Sequence, residues 1–445
     1  MELTGRFWSV LRIVFCLCAM CVVAVPPSPA AETPRLSEAD EVFLKDLEQR
    51  GFRYFWEMTD PDTGMTRGRA RADGAPYEVN RRDIGSIAVT GFGLTALCIG
   101  AENGWVKRNE ARARVRNAMR FFLERAQQEH GWFFHWMNVI TGERTGVAQN
   151  SATKSELSSI DSALLMGGVL TARQYFHEDA EIVRLATEIY RRMDFQWMLN
   201  GDPLVLSHGW RPESGFLTAR WSRYSEFTII YVLAIGSPTH PIKPESWYAW
   251  ERPEVSYANY TWFGRSPPFT HQYSHAWVDY RGRRENKAPH ADFFANSVTA
   301  TRAHRAFCID QAKEFPGYSE NIWGITASTS AQGYAVWGGW PSRTKIDGTV
   351  VPCAAGGALM LTPDIAVPAL RAMRDRFGTK IWGRYGFADA FNPNNGWIAP
   401  DVLGLDVGIT LLSAENLRTG NVWKWFMANP EIPRALKLIG LEKHR

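Results

Sequence analysis

Residues 85–103 read Gly-Ser-Ile-Ala-Val-Thr-Gly-Phe-Gly-Leu-Thr-Ala-Leu-Cys-Ile-Gly-Ala-Glu-Asn, and this stretch decides the type of fold. Its apolar residues recur at helical spacing, which predicts a helix. The run from Gly91 to Ala96 imitates a dinucleotide-binding fingerprint, but no predicted strand precedes it, so we exclude a phosphate-binding loop. The stretch therefore indicates a helical fold.

The same periodicity recurs along the chain and predicts further helices. With the first stretch included, they cover residues 37–58, 85–103, 108–127, 156–176, 179–198, 224–236, 290–314, 363–377, 404–418 and 430–440. Residues typical of helix starts are Ser37 with Asp40, Asp83, and Pro363-Asp364. Long connections rich in aromatic residues and glycine separate the helices. This organisation predicts an all-α fold, either a toroid of helical hairpins or a non-toroidal helical array.

The composition is that of an ordinary globular protein. Of 445 residues, 45% are hydrophobic and 22% charged, and the formal net charge is +4. These values exclude a disordered or fibrous chain and provide no electrostatic case for nucleic-acid binding. Aromatic residues are abundant, with 19 Trp, 14 Tyr and 24 Phe. Most are expected in the core, but flat rings with a polar edge also suit sugars, so carbohydrate is the first ligand class to test.

The N-terminus has the three parts of a secretory signal peptide, predicted over residues 1–31. Arg6 and Arg12 supply the basic region, an apolar run follows, and small residues mark the cleavage region. The run is too short to predict a membrane span. Residues 35–445 contain no linker and are predicted to form a single domain. We expect a periplasmic or secreted protein with no membrane partner after cleavage.

Glu226 lies in the stretch richest in candidate chemistry, Trp221-Ser-Arg-Tyr-Ser-Glu-Phe-Thr-Ile-Ile-Tyr231, where it opens a predicted apolar helix. Between Tyr224 and Phe227 the carboxyl would be partly removed from water, which raises its pKa towards use as a general acid. At a helix start the macrodipole would lower the pKa instead. The sequence leaves both alternatives open. Glycoside hydrolysis needs such an acid and a second carboxylate.

Two more acids stand where another apolar helix begins. In Ser155-Glu-Leu-Ser-Ser-Ile-Asp161, the simplest interpretation makes Ser155 the N-cap and places Glu156 in the first turn. Asp161 is less easily explained, because a buried-looking carboxylate needs a partner. It is therefore a candidate for a cleft.

The catalytic base is expected in residues 385–408, where Asp389, Asp401 and Asp406 are interleaved with aromatic side chains. A helix cap at Asp401 and a turn at Asp389 are equally ordinary explanations for single residues. Three acids among several rings are harder to dismiss together.

His271 and His275 are four residues apart, a possible metal pair if helical. Without a third ligand at matching spacing, we predict no metal site and no cofactor. These side chains are expected to hydrogen-bond sugar hydroxyls or to satisfy one another in the wall of a cleft. The mature chain keeps Cys98, Cys308 and Cys353, which allow at most one disulfide.

Taken together, these strings resemble the glucoamylase-like domain family and, within it, the bacterial endo-β-1,2-glucanases of glycoside hydrolase family 144. Matching stretches include Ser86–Ala96, Ser155–Ser162, Tyr224-Ser-Glu226, Gly236-Ser-Pro-Thr-His-Pro241, Phe269-Thr-His-Gln-Tyr-Ser-His275, Asn321–Ser328, Gly333-Tyr334, Asp347–Ala355, Tyr385–Asn392, Leu405-Asp-Val-Gly408 and Glu415-Asn416. The resemblance implies an (α/α)6 toroid, a cleft for a linear β-glucan and inverting hydrolysis without a metal. It also implies Glu226 as general acid, with Glu156 and Asp161 as acids that hold or polarise the glucan.

The chain departs from the family pattern in three places. Thr329-Ser330 stands where the family usually has Asp-Gly or similar, Leu405-Asp-Val-Gly408 replaces the commoner Ile-Asp-Gln-Gly, and Gln149 and Thr153 occupy the neighbourhood of family acids. The glucan linkage and the choice between endo cleavage and exo release of sophorose stay open.

The leading hypothesis is an exported, monomeric glycoside hydrolase acting on a β-glucan, with Glu226 as acid and Asp401 or Asp389 as base. The substrate-binding candidates are Glu156, Asp161, Tyr224, His271, His275, Tyr334, Trp337, Trp397 and Asp406. The rings that could form a stacking platform are Trp136, Trp210, Trp262, Trp337, Trp340 and Trp397.

Two alternatives belong to other classes. One is a polysaccharide lyase of the helical-toroid type, which would use His271, Tyr273, His275 and Arg281. The other is a non-catalytic periplasmic glycan-binding protein. A lyase cleft should be basic, whereas the stretches singled out here are acidic.

Overall fold

Helices are the main regular elements of the computed structural model, which describes residues 36–77, 82–148, 151–265, 267–339 and 346–443. The predicted signal peptide and Trp340 lie outside these ranges. The α-helices of the described residues are α1 (Glu38–Met58), α2 (Ile87–Glu102), α3 (Arg108–Glu124), α4 (Ser159–Tyr175), α5 (Ala180–Arg192), α6 (Phe195–Met198), α7 (Thr228–Gly236), α8 (Tyr273–Trp277), α9 (Phe293–Asp310), α10 (Pro352–Gly356), α11 (Pro363–Phe377), α12 (Gly404–Arg418), α13 (Asn421–Met427) and α14 (Glu431–Ile439).

Two kinds of helix alternate along the chain, except that the inner helices α7 and α8 follow one another. In the described part of the chain, α2, α4, α7, α8, α10 and α12 are buried on nearly every side, so they form an inner ring. The outer helices α1, α3, α5, α9, α11 and α14 bury one face and expose the other, as amphipathic helices do at a surface. This alternation is the (α/α)6 toroid, and the predicted fold class is confirmed.

Glycines let the longest inner helices approach closely. A Cβ added at Gly91 of α2 would lie 2.1 Å from the carbonyl oxygen of Leu164 in α4. Any residue with a Cβ would clash there, so only glycine allows this approach. A Cβ added at Gly408 of α12 would lie 2.6 Å from the ring of Phe92 in α2. The first and last long inner helices therefore meet, and the ring closes.

Hydrogen bonds join the shorter inner helices. The hydroxyl of Ser274 in α8 accepts from the backbone N–H of Ile229 in α7 at 3.0 Å. Gln272, just before α8, donates to the carbonyl of Ala354 in α10 at 2.9 Å. Ser413 of α12 donates to the backbone carbonyl that follows α10 at 3.0 Å. These short helices hold their places by polar contacts because few turns are available for packing.

Short strands border the inner helices. They are β1 (Arg69–Arg71), β2 (Ile84–Ser86), β3 (Gln128–Glu129), β4 (Trp132–Phe133), β5 (Trp136–Asn138), β6 (Leu157–Ser158), β7 (Gly209–Arg211), β8 (Gly215–Phe216), β9 (Glu254–Tyr257), β10 (Tyr260–Phe263), β11 (Arg283–Glu285), β12 (Ser328–Ser330), β13 (Gly333–Ala335), β14 (Trp382–Gly383), β15 (Gly386–Phe387), β16 (Asp401–Leu403) and β17 (Leu441–Lys443). β2, β6 and β16 run directly into α2, α4 and α12. Paired strands therefore collect where the inner helices begin.

The predicted helix starts were partly wrong. The N-cap of α2 is Ser86 and not Asp83, since the Ser86 hydroxyl accepts from a backbone N–H in the first turn. The N-cap of α4 is Ser158 and not Ser155, because Ser155 bonds the backbone of Trp136 instead. Ser86 and Ser158 are the last residues of the paired strands β2 and β6. Strand pairing cannot be deduced from helical periodicity, so the caps were placed at the wrong residues.

The cysteines and the apolarity of the helices remain to be compared with the sequence predictions. Cys98, Cys308 and Cys353 are buried and free. Across the described residues, no helix combines the length and apolarity needed to cross a bilayer.

Candidate active site

The acidic residues singled out in the sequence meet at the N-terminal ends of the inner helices. Glu156 and Asp161 flank the start of α4. Glu226 precedes α7, and Asp406 lies in the first turn of α12. Asp161 acts electrostatically on Glu226, and the Tyr334 phenol is close enough to interact with both Asp161 and Asp406. One site therefore collects side chains that are far apart in sequence.

Glu226 does not open its helix, as the sequence suggested, but lies one residue ahead of the Phe227 N-cap. Its carboxylate accepts a hydrogen bond from Ser225, and its backbone carbonyl accepts one from Ser274. Among the described residues, no Lys, Arg or His forms an ion pair with it. Burial raises the pKa of the Glu226 carboxyl, and the charge of Asp161 adds to this shift. Of the two alternatives, the structure supports the raised pKa, which suits a proton donor.

Glu156 and Asp161 are joined by a residue that the sequence analysis missed, His135. Its Nδ1 lies 3.1 Å from Glu156 Oε1, and its Nε2 lies 3.6 Å from Asp161 Oδ1. Arg211 Nη2 lies 3.1 Å from the other Glu156 oxygen. The hydrogen bond from His135 lowers the pKa of Glu156 to about 2, so this carboxyl is ionised. The only sequence signal was a histidine among rings, directly before Trp136.

Asp389 and Asp406 form a pair of hydrogen-bonded carboxyl groups. The backbone N–H of Thr329 donates to Asp389 Oδ2 at 2.7 Å. Among the described residues, Asp389 Oδ1 and Asp406 Oδ2 are buried without a fixed partner. Burial raises the pKa of both carboxyls, and in Asp406 the charge of Asp389 adds to the increase. A single proton shared by the two groups would satisfy both orphan oxygens.

A small cavity lies behind this pair. It has a volume of about 30 Å³ and is lined in part by Asp389, Asp406, Cys353 and Thr410. Burial raises the pKa of the Cys353 thiol well above its usual value, so the thiol stays protonated. The volume suits an ordered water molecule, and the carboxyls and the Thr410 hydroxyl offer it hydrogen-bond partners in an otherwise largely apolar lining.

Asp401, the second candidate for the base, belongs to a ribbon of two strands. β16 pairs with β1, and Arg69 Nη1 in β1 lies 3.6 Å from Asp401 Oδ2. The backbone N–H of Asp389 donates to the Asp401 carbonyl at 3.2 Å. The two candidates are therefore neighbours, but only Asp401 faces a cation at ion-pair distance among the described residues.

The aromatic candidates differ in exposure. Tyr334, on the hairpin of β12 and β13, has an exposed fraction of 61% and reaches the acids. Trp337 and Trp262 are buried, and each indole N–H donates to a nearby oxygen. Trp136, Trp210 and Trp397 are half-buried. Tyr334 is therefore the ring best placed to meet a sugar.

The histidine segment forms part of the wall. His271 and His275 are buried and converge on the Ser297 hydroxyl, at 3.5 and 3.0 Å. Tyr224, also buried, lies with its hydroxyl 3.4 Å from His271. Burial lowers the pKa of each histidine to about 3, so both are neutral. Both rings share the Ser297 hydroxyl, while His271 Nε2 is buried without a hydrogen-bond partner among the described residues. Arg281, named for the lyase alternative, pairs with Asp279.

A family model matches a C-terminal segment of the chain that carries several residues of the site. The model, named Glycoamylase and described as "Putative glucoamylase", matches residues 218–430. This segment contains Glu226 and the three aspartates of the pair and the ribbon.

Individual relatives match much more of the chain. The exo β-1,2-glucooligosaccharide sophorohydrolase of Parabacteroides distasonis is 28% identical over 434 residues, which cover 90% of this chain but only 58% of the relative. The chain therefore spans less than two thirds of that protein's length. An endo-β-1,2-glucanase from Chitinophaga pinensis, in complex with sophorotriose and glucose, is 29% identical, with a TM-score of 0.81 and coverage of 92% of this chain and 99% of that one.

A third relative comes from Bacteroides fragilis and is described as a "putative glucoamylase". It is 30% identical, with a TM-score of 0.82 and coverage of 92% of this chain and 100% of that one. Identity at this level over a relative's whole length, together with the family model, shows that this chain belongs to the glycoamylase family.

Proposed function

We propose that the protein is a glycoside hydrolase that cleaves β-1,2-glucan with inversion of configuration, with Glu226 as the general acid. The observation that carries the proposal is the Glu226 carboxyl itself, whose pKa is raised by burial and by Asp161, and which forms no ion pair with a described cation. A protonated carboxyl can donate to the oxygen of the leaving sugar. The two relatives named for β-1,2-linked substrates support the linkage.

Asp389 is the better candidate for the base. Its Oδ1 has no fixed partner among the described residues, whereas Asp401 faces Arg69. Burial raises the pKa of Asp389, which makes its ionised form the stronger base. Inversion requires a water molecule between this carboxylate and the sugar, with the two catalytic carboxyls roughly 6.5–9.5 Å apart.

Glu156, Asp161 and Tyr334 are proposed to hold the glucan. Ionised carboxylates accept hydrogen bonds from sugar hydroxyls, and an exposed phenol ring offers a flat face to a pyranose. We further propose that the protein acts outside the cytoplasm, because the sequence of residues 1–31 has the pattern of a secretory signal.

The test compares the wild type with Glu226→Gln on linear β-1,2-glucan, with β-1,3-, β-1,4- and β-1,6-glucans alongside. We expect short β-1,2-glucans from the wild type and a loss of about 10²- to 10⁴-fold in kcat for the variant. Glu251→Gln is the matched control, because Glu251 is exposed on a neighbouring segment and pairs only with Arg223 among the described residues. It should keep wild-type activity.

The stereochemistry gives a second readout. NMR of the first products should show the α-anomer at the new reducing end, since inversion converts a β-linkage. The β-anomer would exclude inversion. Cleavage by Glu226→Gln at the wild-type rate would exclude Glu226 as the acid, and an unsaturated product absorbing near 235 nm would indicate a lyase.

A further inference from the structure

The imidazole of His135 lies between two carboxylates of the candidate site. Its Nδ1 faces Glu156 Oε1 at 3.1 Å, and its Nε2 faces Asp161 Oδ1 at 3.6 Å. A neutral imidazole has one N–H and can turn it to only one of these acids, whereas an imidazolium presents an N–H to each, as a hydrogen bond to Glu156 and an ion pair with Asp161. The arrangement of two acceptors around one ring therefore fits the cation.

The surroundings leave the ring little freedom. It stacks on Trp136 with ring centroids 4.4 Å apart and an angle of 17° between the planes. The backbone N–H of His135 donates to the Glu156 carbonyl at 2.9 Å, which ties the two segments together. The ring is therefore held at the point where both carboxylates converge.

Each carboxylate also has a second anchor. Arg211 holds Glu156 Oε2 at 3.1 Å, and the Ser158 hydroxyl donates to Asp161 Oδ2 at 2.5 Å. A carboxylate has about four lone-pair sites, so each acid can still accept hydrogen bonds from a sugar. With the ring in place, both acids have a fixed orientation before substrate arrives.

We propose that His135 is a positioning residue which, as the imidazolium, fixes the Glu156 and Asp161 carboxylates to receive the hydroxyls of a bound glucan. This inference rests on the proposed function. It assigns His135 to substrate affinity and not to the bond-breaking step, because Nδ1 is hydrogen-bonded to Glu156 and Nε2 faces Asp161. Glu226, the proposed acid, is linked to the ring only through Asp161.

The charge of the ring makes binding dependent on pH. Burial lowers the pKa of His135, but Asp161 and Glu156 outweigh burial, so the net shift is upward. Arg211, the other charged group at this point, faces Glu156 from β7. A raised pKa keeps the cation present below that value, and the cation is lost as pH rises through it. Affinity for glucan should therefore fall on the alkaline side.

The experiment measures KM and kcat on linear β-1,2-glucan between pH 5 and 9 for the wild type, His135→Gln and His135→Asn. We expect KM to rise about tenfold at neutral pH, equivalent to about 1.4 kcal/mol, while kcat stays within about threefold. The alkaline rise in KM should disappear in both variants. His130→Gln is the matched control, because His130 also stacks on an indole, Trp197, and faces a carboxylate, Glu129, at 3.7 Å.

Two further measurements separate this inference from the proposed function. Calorimetric binding of glucan to the uncleaving Glu226→Gln variant, with and without His135→Gln, should show the same tenfold loss of affinity. NMR titration of the wild-type histidines, assigned with His135→Asn, should place the pKa of His135 above 6.5.

The inference is overturned by a KM that does not change in the variants, by a loss confined to kcat, or by a titration of His135 below 6.5. If the wild type cleaves none of the glucans, the proposed function fails. The titration then still decides whether the ring is the cation that holds both acids.

Discussion

Asp389 and Asp406 are two buried carboxyls in contact, and substitutions can assign a role to each. Asp406→Asn keeps a donor for Asp389, because the side-chain amide can donate as a protonated carboxyl would, and burial and Asp389 raise the pKa of the Asp406 carboxyl. We expect this variant to keep kcat/KM within about tenfold. Asp389→Asn removes the carboxylate that activates water and should lower kcat by about 10²- to 10⁴-fold. The assay is β-1,2-glucan hydrolysis between pH 5 and 9.

The dependence of activity on pH tests whether a proton on Asp406 is needed. The raised pKa of Asp406 means that its proton is kept to a higher pH than on an ordinary aspartic acid and is lost as pH rises through that raised pKa. The wild type should lose activity on that limb, and Asp406→Asn should not. Asp401→Asn serves as the control, since Asp401 faces Arg69. A larger loss in Asp401→Asn than in Asp389→Asn would make Asp401 the base.

Helical periodicity predicted the long helices well and the short ones poorly. The bounds of α11 and α12 agree with prediction residue for residue, because each carries several turns of apolar repeat. α8 and α10 have five residues each, too few to show a period, and they were missed. His135 was missed for a related reason, since its partners are brought to it by strand pairing between distant segments.

Glycines in the inner helices are expected to limit stability more than helix propensity does. A Cβ at Gly168 of α4 would lie 2.0 Å from the carbonyl oxygen of Gly91 in α2, and a backbone atom cannot move aside easily. Gly168→Ala should therefore lower the free energy of unfolding by about 1–3 kcal/mol despite the better propensity of alanine. Urea unfolding followed by circular dichroism measures the change.

Gly51 of α1 provides the matched substitution. Its added Cβ would meet Leu411 at 3.4 Å, an ordinary contact, so alanine should be neutral or stabilising by up to about 1 kcal/mol. Equal effects at the two positions would mean that close helix approach does not decide the residue at Gly168.

The ring depends on contacts between the first helix, α1, and the last long inner helix, α12. α1 packs against α12, and Arg418 at the end of α12 reaches back to α1. Its guanidinium lies 2.9 Å from Glu41 and 2.6 Å from Glu48, a carboxyl with no exposed surface. Helical patterning could not reveal this contact, because it joins residues that are about as distant in sequence as the ring allows.

Arg418→Met should weaken the contact between α1 and α12. It leaves Glu48 buried without its cation and should lower the free energy of unfolding by about 3–5 kcal/mol, whereas Glu48→Leu with Arg418→Met should recover most of the loss. Arg371→Met is the control, since its pair with Asp40 is partly exposed and worth about 0–1 kcal/mol.

The sign of the pH dependence follows from Glu48. Burial, with the charge of Glu415, raises the pKa of Glu48 well above 4.5, so the folded state loses stability as pH rises through that pKa. Without Arg418 the pKa rises further, so the deficit of Arg418→Met should be larger at pH 8 than at pH 5. Urea unfolding at both pH values measures this difference, and glucan cleavage should disappear in the same transition as helicity because the ring holds the site together. A deficit independent of pH would show that the packing of Arg418, and not its charge, closes the ring.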